Sequence, residues 1–264
     1  MLKDKISHLF QSIGLKIIRS RTSGFEYLLN KKRYQNQTIN LLGSFFDIAD
    51  SPSFYYSHRE IFIDEIYRFQ SDKIDPVIID CGSNYGTSIV YFKQLYPDSK
   101  IIGVEADPDI FEILKNNLEQ RSFSNITLLN KAISKEKGSI QFFSEGADGG
   151  RIHNMDSPKN SYKVETINLD ELIDGDVDFL KMDIEGAESD MLCISKKLGK
   201  VKQMFIEFHS FVDEKQKLGD LLSTLTKNGF RYYIHTQFCS KRPLLEKETQ
   251  LGMDLQLNIF AKRN

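Results

Sequence analysis

Carboxylate side chains follow several apolar runs in the second part of this sequence. The run "VII" leads into Asp80, the run "IIGV" leads into Glu105, and the run "FLKM" leads into Asp183. If these runs are parallel strands, their carboxyl ends meet at one edge of the sheet, where open α/β sheets bind ligands. The sequence therefore predicts a ligand site lined by carboxylates.

The loop after Asp80 carries little side chain. It reads "CGSNYGTS", in which Gly82 and Gly86 let the backbone approach a ligand closely. The spacing does not fit a dinucleotide fingerprint, which needs glycines where Asn84 and Thr87 stand, and no Lys-Ser/Thr pair forms a phosphate loop. Asp80 would repel a pyrophosphate but attract an ammonium group, and S-adenosylmethionine carries an amino acid and a sulfonium but no phosphate. A tight turn with a helix cap explains the loop alone equally well.

Glu105 supplies a second, independent indication. It ends "IIGVE", nineteen residues after Gly86. A carboxylate at the end of the second strand can accept both hydroxyls of a ribose in a bidentate hydrogen bond. A surface-exposed strand end is the alternative, but acids at both expected strand ends favour a nucleoside ligand.

A third group of ionisable residues lies in two later segments. "MDIEGAESDML" contains Asp183, Glu185 and Glu188, and "MFIEFHS" contains Glu207 and His209. Acids favour a helix N-terminus for dipole reasons alone, and a lone histidine is more often structural than catalytic. Asp183 and His209 are nevertheless candidate general bases, His209 because the ordinary imidazole pKa is close to operating pH. Glu185 and Glu188 could orient an acceptor or, with Asp183, hold a divalent cation, but one acidic cluster is weak evidence for a metal and none is predicted.

Short β-branched runs alternate with helix-length segments from residue 77 onward. We predict strands over 77–81, 101–105, 126–130, 178–182, 203–208, 230–235 and about 255–261, and helices over 87–96 and 108–121. This alternation is typical of an α/β fold with parallel strands joined by right-handed crossovers. The segment 144–161 is rich in Gly, Ser, Asp and Asn, and we interpret it as a lid, a binding loop or a plain insertion.

The first 75 residues form a predicted helical N-terminal extension, and residues 76–264 form the α/β domain. Apolar residues recur at helical spacing at Leu2, Ile6, Leu9, Ile13 and Ile17. Because the same segment is basic, residues 1–22 could lie on an anionic membrane surface. Packing on the domain or on a second subunit is the commoner fate of an amphipathic helix. We therefore favour packing, with a homo-oligomer as one form of it.

The composition excludes some classes of protein. Hydrophobic residues make up 40% and charged residues 27%, and the net charge of −2 gives no general attraction to nucleic acid. The three cysteines, an odd number without metal-type spacing, suit a reduced cytoplasmic compartment. No run of 18 apolar residues and no signal-peptide core is present in the sequence, so we expect a cytoplasmic protein.

The sequence resembles the FkbM-type family of S-adenosylmethionine-dependent methyltransferases in six consecutive segments. These are "IIDCGSNYGTS", "GVEADP", "NKAISKEKGSIQFF", "VETINLDELI", "FLKMDIEGAE" and "MFIEFH", which cover residues 77 to about 209. The most specific element is "LKMDIEGAE" with "INLDEL" before it. The resemblance implies a class I methyltransferase fold, which is Rossmann-like with a seven-stranded, mostly parallel sheet and helices on both faces. It also implies methyl transfer to a hydroxyl of a sugar, a glycan or another small metabolite.

The resemblance also implies a role for each site residue. The residues that it places around the methionine and ribose of S-adenosylmethionine are Asp80, Gly82, Asn84, Gly86 and Glu105. Those that it places near the adenine are Asp107, Ala132 and Ile133. On the acceptor side we assign catalytic roles to Asp183, Glu185 and His209 and substrate contacts to Glu188 and Glu207.

Two other functions stay open at this point. A methyltransferase acting on protein or nucleic acid lacks support, because the chain has no basic face and no Asn/Asp-Pro-Pro-aromatic signature. A non-catalytic adenosyl-binding interaction module would bind the cofactor without transferring a methyl group, and the presence of Asp183, Glu185 and His209 argues against it.

Overall fold

The computed structural model describes residues 24–144 and 160–263. Its strands are β1 (Gln37–Leu41), β2 (Ser44–Ile48), β3 (Val77–Cys81), β4 (Lys100–Glu105), β5 (Ile126–Asn130), β6 (Ala132–Ile133), β7 (Ser139–Ser144), β8 (Asn160–Ile167), β9 (Val177–Met182), β10 (Val201–Phe211), β11 (Phe230–Cys239) and β12 (Met253–Arg263). Its α-helices are α1 (Ser51–His58), α2 (Thr87–Leu95), α3 (Pro108–Glu119), α4 (Leu169–Leu172), α5 (Glu188–Ile194) and α6 (Leu218–Lys227). Shorter helical turns span Glu26–Asn30, Arg59–Ile63 and Leu198–Lys200. Within these two ranges, none of the helices combines the length and the apolar character that crossing a membrane requires.

Seven strands form the central sheet, in the order β11-β12-β10-β9-β3-β4-β5. The five strands β10, β9, β3, β4 and β5 are parallel to one another, whereas β12 runs antiparallel to both β10 and β11. All seven predicted strands are present, and the two predicted helices appear as α2 and α3. Because β3 lies between β4 and β9, the chain first builds the sheet to one side of β3 and later to the other. Ligands bind at such a switch point in doubly wound sheets.

Each face of the sheet is covered by a hydrophobic core, because successive side chains of a strand point to opposite faces. Ile78 and Phe179 belong to a core that contains α2, α3 and the N-terminal extension. Their neighbours Ile79 and Leu180 belong to the other core, which contains α4, α5 and α6. Every residue of β9 is buried, as expected for a central parallel strand that is covered on both faces.

The described part of the N-terminal extension corrects the prediction that it is helical. Besides helix α1 it contains an antiparallel hairpin, β1–β2, whose turn places Leu42 at φ 52° and Gly43 at φ 85°. Ile39 and Leu41 alternate with exposed residues, so the strand has a period of two that helical periodicity does not detect. The hairpin is held to helix α3 by Asn117, whose side chain accepts a hydrogen bond from the Asp47 amide at 2.7 Å and donates one to the Asp47 carbonyl at 2.9 Å.

A smaller three-stranded sheet, β6-β8-β7, flanks the central sheet. Ser144 at the end of β7 pairs with Asn160 at the start of β8, so the ends of the predicted loop 144–161 belong to strands. The rest of that loop, residues 145–159, lies outside the described residues, as does the predicted amphipathic helix of residues 1–22.

Candidate functional site

A cavity of about 530 Å³ lies at the carboxyl ends of the central strands, where the sequence predicts a ligand site. The predicted site residues that line it are Gly82, Asn84, Glu105, Asp107, Ala132, Ile133, Asp183, Glu185, Glu207 and His209. The three predicted site residues that do not line it are Asp80, Gly86 and Glu188, and each of them is buried. The cavity therefore brings together carboxylates that are far apart in the sequence.

The glycines of the loop after β3 are required by close packing. Gly82 has φ 86°, and a Cβ atom there would lie 1.8 Å from the backbone oxygen of Asp183. Gly86 has φ 91°, and a Cβ atom there would lie 2.7 Å from a methyl carbon of Leu114 on α3. The loop thus fits between β9 and α3, and Gly82 reaches the cavity while Gly86 does not. Gly86 was predicted to contact a ligand, but in the structure it allows the start of helix α2 to pack closely against Leu114 of helix α3.

Asp80 lies under the loop and is fully buried. One carboxylate oxygen accepts a 2.5 Å hydrogen bond from the Ser88 hydroxyl, and the other lies 3.5 Å from the Lys181 ammonium. Burial raises the pKa of Asp80, although the Lys181 ammonium opposes that change. The structure therefore places Asp80 as a support of the loop and not at the cavity wall, where direct contact with an ammonium group was predicted.

Lys181 is a site residue that the sequence analysis missed. Its Nζ atom donates to the Gly82 carbonyl at 2.7 Å and to the Asp183 carboxylate at 3.1 Å, and it also faces Asp80. Burial lowers the pKa of the Lys181 ammonium, but the carboxylates of Asp183 and Asp80 raise it by more, so that it lies well above its ordinary value. The signal was available, because a lysine in the otherwise apolar centre of a strand needs anionic partners.

Glu105 occupies the cavity end of β4. Its two carboxylate oxygens accept hydrogen bonds from the amides of Asn84 at 2.9 Å and Asp107 at 2.8 Å. Burial raises the pKa of Glu105 to about 7, and these two amides work in the opposite direction. Each oxygen has a further lone pair, so the carboxylate can still accept the two hydroxyls of a ribose.

The neighbouring wall is suited to a flat, largely apolar group. Ala132 and Ile133 form the short strand β6 and are buried, and Phe142 of β7 lies beside them in the cavity lining. The Asp107 side chain caps helix α3 by accepting from the Asp109 amide at 2.9 Å. An apolar wall beside a carboxylate that can accept two hydroxyls suits a nucleoside such as the adenosine part of S-adenosylmethionine.

A cluster of acids and an imidazole forms the opposite part of the cavity. Ligand atoms of Asp183, Glu185 and His209 all lie within 4.8 Å of one another. Glu185 has φ 56°, an uncommon conformation for a residue other than glycine, which turns the chain sharply after β9. Glu207 lines the same region from β10, and its carboxylate accepts a hydrogen bond from the Gln256 amide.

Glu188 positions this cluster from behind. One oxygen, Oε1, accepts hydrogen bonds from the amides of Ile184 and Gly186, both at 3.0 Å, and lies 3.1 Å from His209 Nδ1. The Glu188 side chain is 1% exposed. Glu188, predicted to contact a substrate, does not line the cavity; its Oε1 atom binds the loop amides and the imidazole instead.

The electrostatics correct the reason for which His209 was a candidate base. Burial lowers the pKa of the imidazole, but the carboxylates of Glu185 and Glu188 raise it by more, to well above its ordinary value. Burial, reinforced by the Asp183 carboxylate, raises the pKa of Glu207 to about 8. With a raised pKa, the imidazole of His209 holds its proton more firmly than an ordinary histidine does. A carboxylate is the better proton acceptor in this cluster.

Residues that were not predicted as site residues complete the cavity. Tyr56 and Glu60, from the extension, line one side, and Gln237 of β11 donates a 2.6 Å hydrogen bond to Glu60. Gln250 and Met253, near the start of β12, line the side next to His209. No local sequence signal marks these residues, because only tertiary packing brings them to the site.

Comparison with known proteins identifies the family. The model of the methyltransferase FkbM domain matches residues 80–232, which is more than half of the 264-residue chain. Methyltransferase 1 of Beauveria bassiana (strain ARSEF 2860) is 26% identical over 162 residues, covering 52% of this chain and 65% of that protein. The 2-O-methyltransferase NoeI of Sinorhizobium fredii (strain NBRC 101917 / NGR234) is 29% identical over 159 residues, with the same two coverages of 52% and 65%. The match thus spans just under two thirds of the length of each relative.

A solved structure supports the fold. Wild-type Trm5b from Pyrococcus abyssi has a TM-score of 0.50 and 8% sequence identity, covering 88% of this chain and 56% of that chain. Similarity at this level of identity concerns the fold alone. Together with the strand order, it confirms the predicted class I methyltransferase fold.

Proposed function

Because the chain belongs to the FkbM methyltransferase domain family, we propose that it transfers a methyl group from S-adenosylmethionine to a hydroxyl of a sugar, a glycan or another small metabolite. The observation that carries this proposal is one cavity with two chemically different parts. Glu105 lies in one part, and the cluster of Asp183, Glu185 and His209 lies in the other. A ribose-binding carboxylate and a proton-accepting cluster that share a cavity suit a group transfer between two bound molecules.

The cofactor part of the proposal assigns a task to each wall. Glu105 accepts the ribose hydroxyls, Ala132 and Ile133 pack against the adenine, and the loop around Gly82 and Asn84 lies beside the methionine. When bound, S-adenosylmethionine supplies a methyl group already activated by its sulfonium. The protein therefore has to orient the acceptor and remove the proton of its hydroxyl.

Asp183 is the group that we assign to the proton of the acceptor hydroxyl. Its side chain is 22% exposed and lines the cavity, and the Lys181 ammonium holds it there at 3.1 Å. The Asp183 carboxylate takes the proton on an oxygen as the hydroxyl oxygen becomes the nucleophile. His209 and Glu185 lie on the same side and position the acceptor.

Several features favour a small hydroxylated acceptor over a polymer with phosphates. The acceptor side of the cavity carries Asp183 and Glu185, whose carboxylates would repel a phosphate backbone. The net charge of −2 adds no attraction to nucleic acid. One relative is named a 2-O-methyltransferase, which is consistent with oxygen as the atom methylated. A cytoplasmic location belongs to the same proposal, and it is supported by three cysteines that are all free.

Transfer of a labelled methyl group tests this function. The purified protein is incubated with methyl-labelled S-adenosylmethionine and a cell extract, which is then separated into carbohydrate, small-molecule, protein and nucleic-acid fractions. We expect label in the carbohydrate or small-molecule fraction, and much less with the Asp183→Asn variant. Label confined to protein or nucleic acid contradicts the acceptor class. Cofactor binding without any transfer supports a non-catalytic adenosyl-binding module instead.

A further inference from the structure

We propose that Asp183, Glu185 and His209 bind a divalent metal cation, and that this cation holds two neighbouring oxygens of the acceptor. The metal site is inferred from the structure of the cluster, and the part that concerns the acceptor rests on the proposed function. The inferred ion is of the Mg²⁺ or Mn²⁺ type, because two carboxylates and one imidazole suit cations that accept oxygen and nitrogen ligands together.

The three side chains converge from two neighbouring strands. Asp183 and Glu185 follow β9, and His209 lies within β10, which is parallel to β9 and hydrogen-bonded to it. Their ligand atoms lie within 4.8 Å of one another, whereas adjacent ligands of an octahedral ion are about 3 Å apart. The side chains of Asp183 and Glu185 are 22% and 21% exposed, so they can close the remaining distance by side-chain rotation.

The imidazole of His209 is held with one nitrogen aimed into the cluster. On one side of the ring, Nδ1 lies 3.1 Å from the Glu188 carboxylate, and Glu188 is itself fixed by two backbone amides. On the other side, Nε2 lies 3.7 Å from Glu185 and 4.0 Å from Glu207, which is too far for a hydrogen bond to either carboxylate. In metal-binding histidines, the ring nitrogen that does not bind the metal commonly donates a hydrogen bond to a carboxylate, as Nδ1 can do here to Glu188.

The contact of Nε2 with Gln256 agrees with this orientation. The Gln256 amide nitrogen lies 3.4 Å from Nε2, at the outer limit of a hydrogen bond. Binding of a cation would displace the proton from Nε2 while Nδ1 keeps its proton for Glu188, and the Nε2 lone pair would then bind the cation in place of the distant amide. The His209 side chain is 1% exposed, so Nε2 reaches no bulk water that would serve the same purpose.

The balance of charge also favours a cation. Four carboxylates surround His209 or lie beside it, from Asp183, Glu185, Glu188 and Glu207. The Lys181 ammonium, which contacts Asp183, is shared with Asp80 and with a backbone carbonyl. Carboxylates gathered in a partly buried site are costly unless positive charge compensates them, and a divalent cation supplies more positive charge than the single imidazole proton that it would displace.

The cation would restrict the class of acceptor. Three protein ligands leave about three open positions on an octahedral ion, and two of these suit neighbouring oxygens of a vicinal diol, as in a sugar ring. A hydroxyl bound to a divalent cation loses its proton more easily, which assists the proposed transfer to the Asp183 side of the cavity. The methylated product should therefore carry an oxygen on the carbon next to the new methoxy group.

Manganese binding to the full-length protein tests the site without any need for activity. Mn²⁺ is titrated into the metal-free protein, and the loss of the free-ion signal is followed by electron paramagnetic resonance. We expect one strong site, with coupling to an imidazole nitrogen in the pulsed spectrum. Asp183→Asn, Glu185→Gln and His209→Asn should each weaken binding about tenfold or more, and His209→Asn should abolish the nitrogen coupling. Glu119→Gln, at an exposed acid on α3, serves as the matched control and should bind Mn²⁺ like the unaltered protein.

The outcomes separate the metal site from the proposed function. Affinity for S-adenosylhomocysteine is measured in each variant, both as a test of folding and as the readout for the cofactor site. If the unaltered protein binds the nucleoside but no Mn²⁺, or if nitrogen coupling persists in His209→Asn, the metal site is overturned while the methyltransferase proposal stands. If Mn²⁺ binds but the nucleoside does not, the proposed function fails and the metal site stands. A product methylated at an isolated hydroxyl overturns the part that concerns the diol.

Discussion

The affinity for S-adenosylmethionine should depend on the ionisation of Glu105. Burial raises the pKa of this carboxyl to about 7, so near neutral pH it is divided between its two forms. The ribose hydroxyls donate hydrogen bonds and therefore favour the ionised carboxylate. Binding should then lower the pKa of Glu105 and release a proton, and the affinity should increase as the pH rises through 7.

The pKa sets the size of this effect. With a value of about 7, the ionised fraction is about one tenth at pH 6 and about nine tenths at pH 8, so Kd should decrease about tenfold over that range. Calorimetric titrations at pH 6, 7 and 8 measure Kd directly. Repeating them in buffers with different ionisation enthalpies gives the number of protons released.

Glu105→Gln provides the decisive comparison, because glutamine keeps the size of the side chain but does not ionise. The variant should lose a charge-assisted hydrogen bond worth about 1.5–3 kcal/mol, which weakens binding at pH 8 by roughly 10–150-fold. The variant should also lose the part of the pH dependence of Kd that comes from Glu105. The slope of log Kd against pH is therefore compared between the two proteins, because the cofactor's own amino group contributes equally to both slopes. An equal slope in the variant and the unaltered protein would show that Glu105 does not contact the ribose. Glu119→Gln is the control that should change neither slope nor affinity.

Three further substitutions test the support of the site and the chemistry within it. Lys181→Met should destabilise the fold by about 3–5 kcal/mol in urea denaturation, because it leaves the buried Asp80 without a cation; a loss below about 1 kcal/mol contradicts the ion pair. Gly82→Ala should cost at least about 2 kcal/mol more than Gly43→Ala, since the two glycines have φ values of 86° and 85° but only Gly82 has a backbone atom where the new methyl group would lie; equal losses would show that the loop can move aside. Asp183→Asn should reduce turnover, measured by label transfer, about 10²–10⁴-fold, and should change Kd for the cofactor, measured by calorimetry, less than about threefold. If the variant loses only cofactor affinity, Asp183 belongs to the cofactor side of the cavity and not to the acceptor side.

The sheet could be predicted from sequence because its strands are short, β-branched and separated by segments long enough for crossover helices. β3, β4 and β9 carry this pattern clearly; in the structure β9 is buried along its whole length, four of the five residues of β3 are buried, and β4 is exposed only at Lys100. The hairpin at residues 37–48 was missed because only four of the ten side chains in its two strands are buried. A strand of that kind has little apolar signal, and its stability comes from packing on α3.

The chemistry of the site was predictable as a set of residues but not as a set of roles. Sequence places Asp80, Asp183 and Glu188 near strand ends or helix starts, and the structure brings all three to the same edge of the sheet. The sequence does not reveal that Asp80 and Glu188 lie outside the cavity lining. Asp80 pairs with Lys181, and Glu188 pairs with His209. Which side chain supports and which one faces a ligand depends on the exact path of each loop, and the sequence pattern does not contain that path.

The origin of the cavity walls explains why the family indicates a cofactor more readily than an acceptor. The residues proposed to hold S-adenosylmethionine, such as Glu105 and Ile133, lie within the matched region 80–232. Tyr56 and Glu60 come from the extension before that region, and Met253 comes from a strand after it. The acidic cluster of the acceptor side also lies within the matched region, so relatives can keep the cofactor wall and this cluster while the walls from outside the region change. It follows that substitutions at Tyr56 or Glu60 should change which acceptor is methylated while leaving cofactor affinity intact, and a competition assay with two labelled acceptors measures that change.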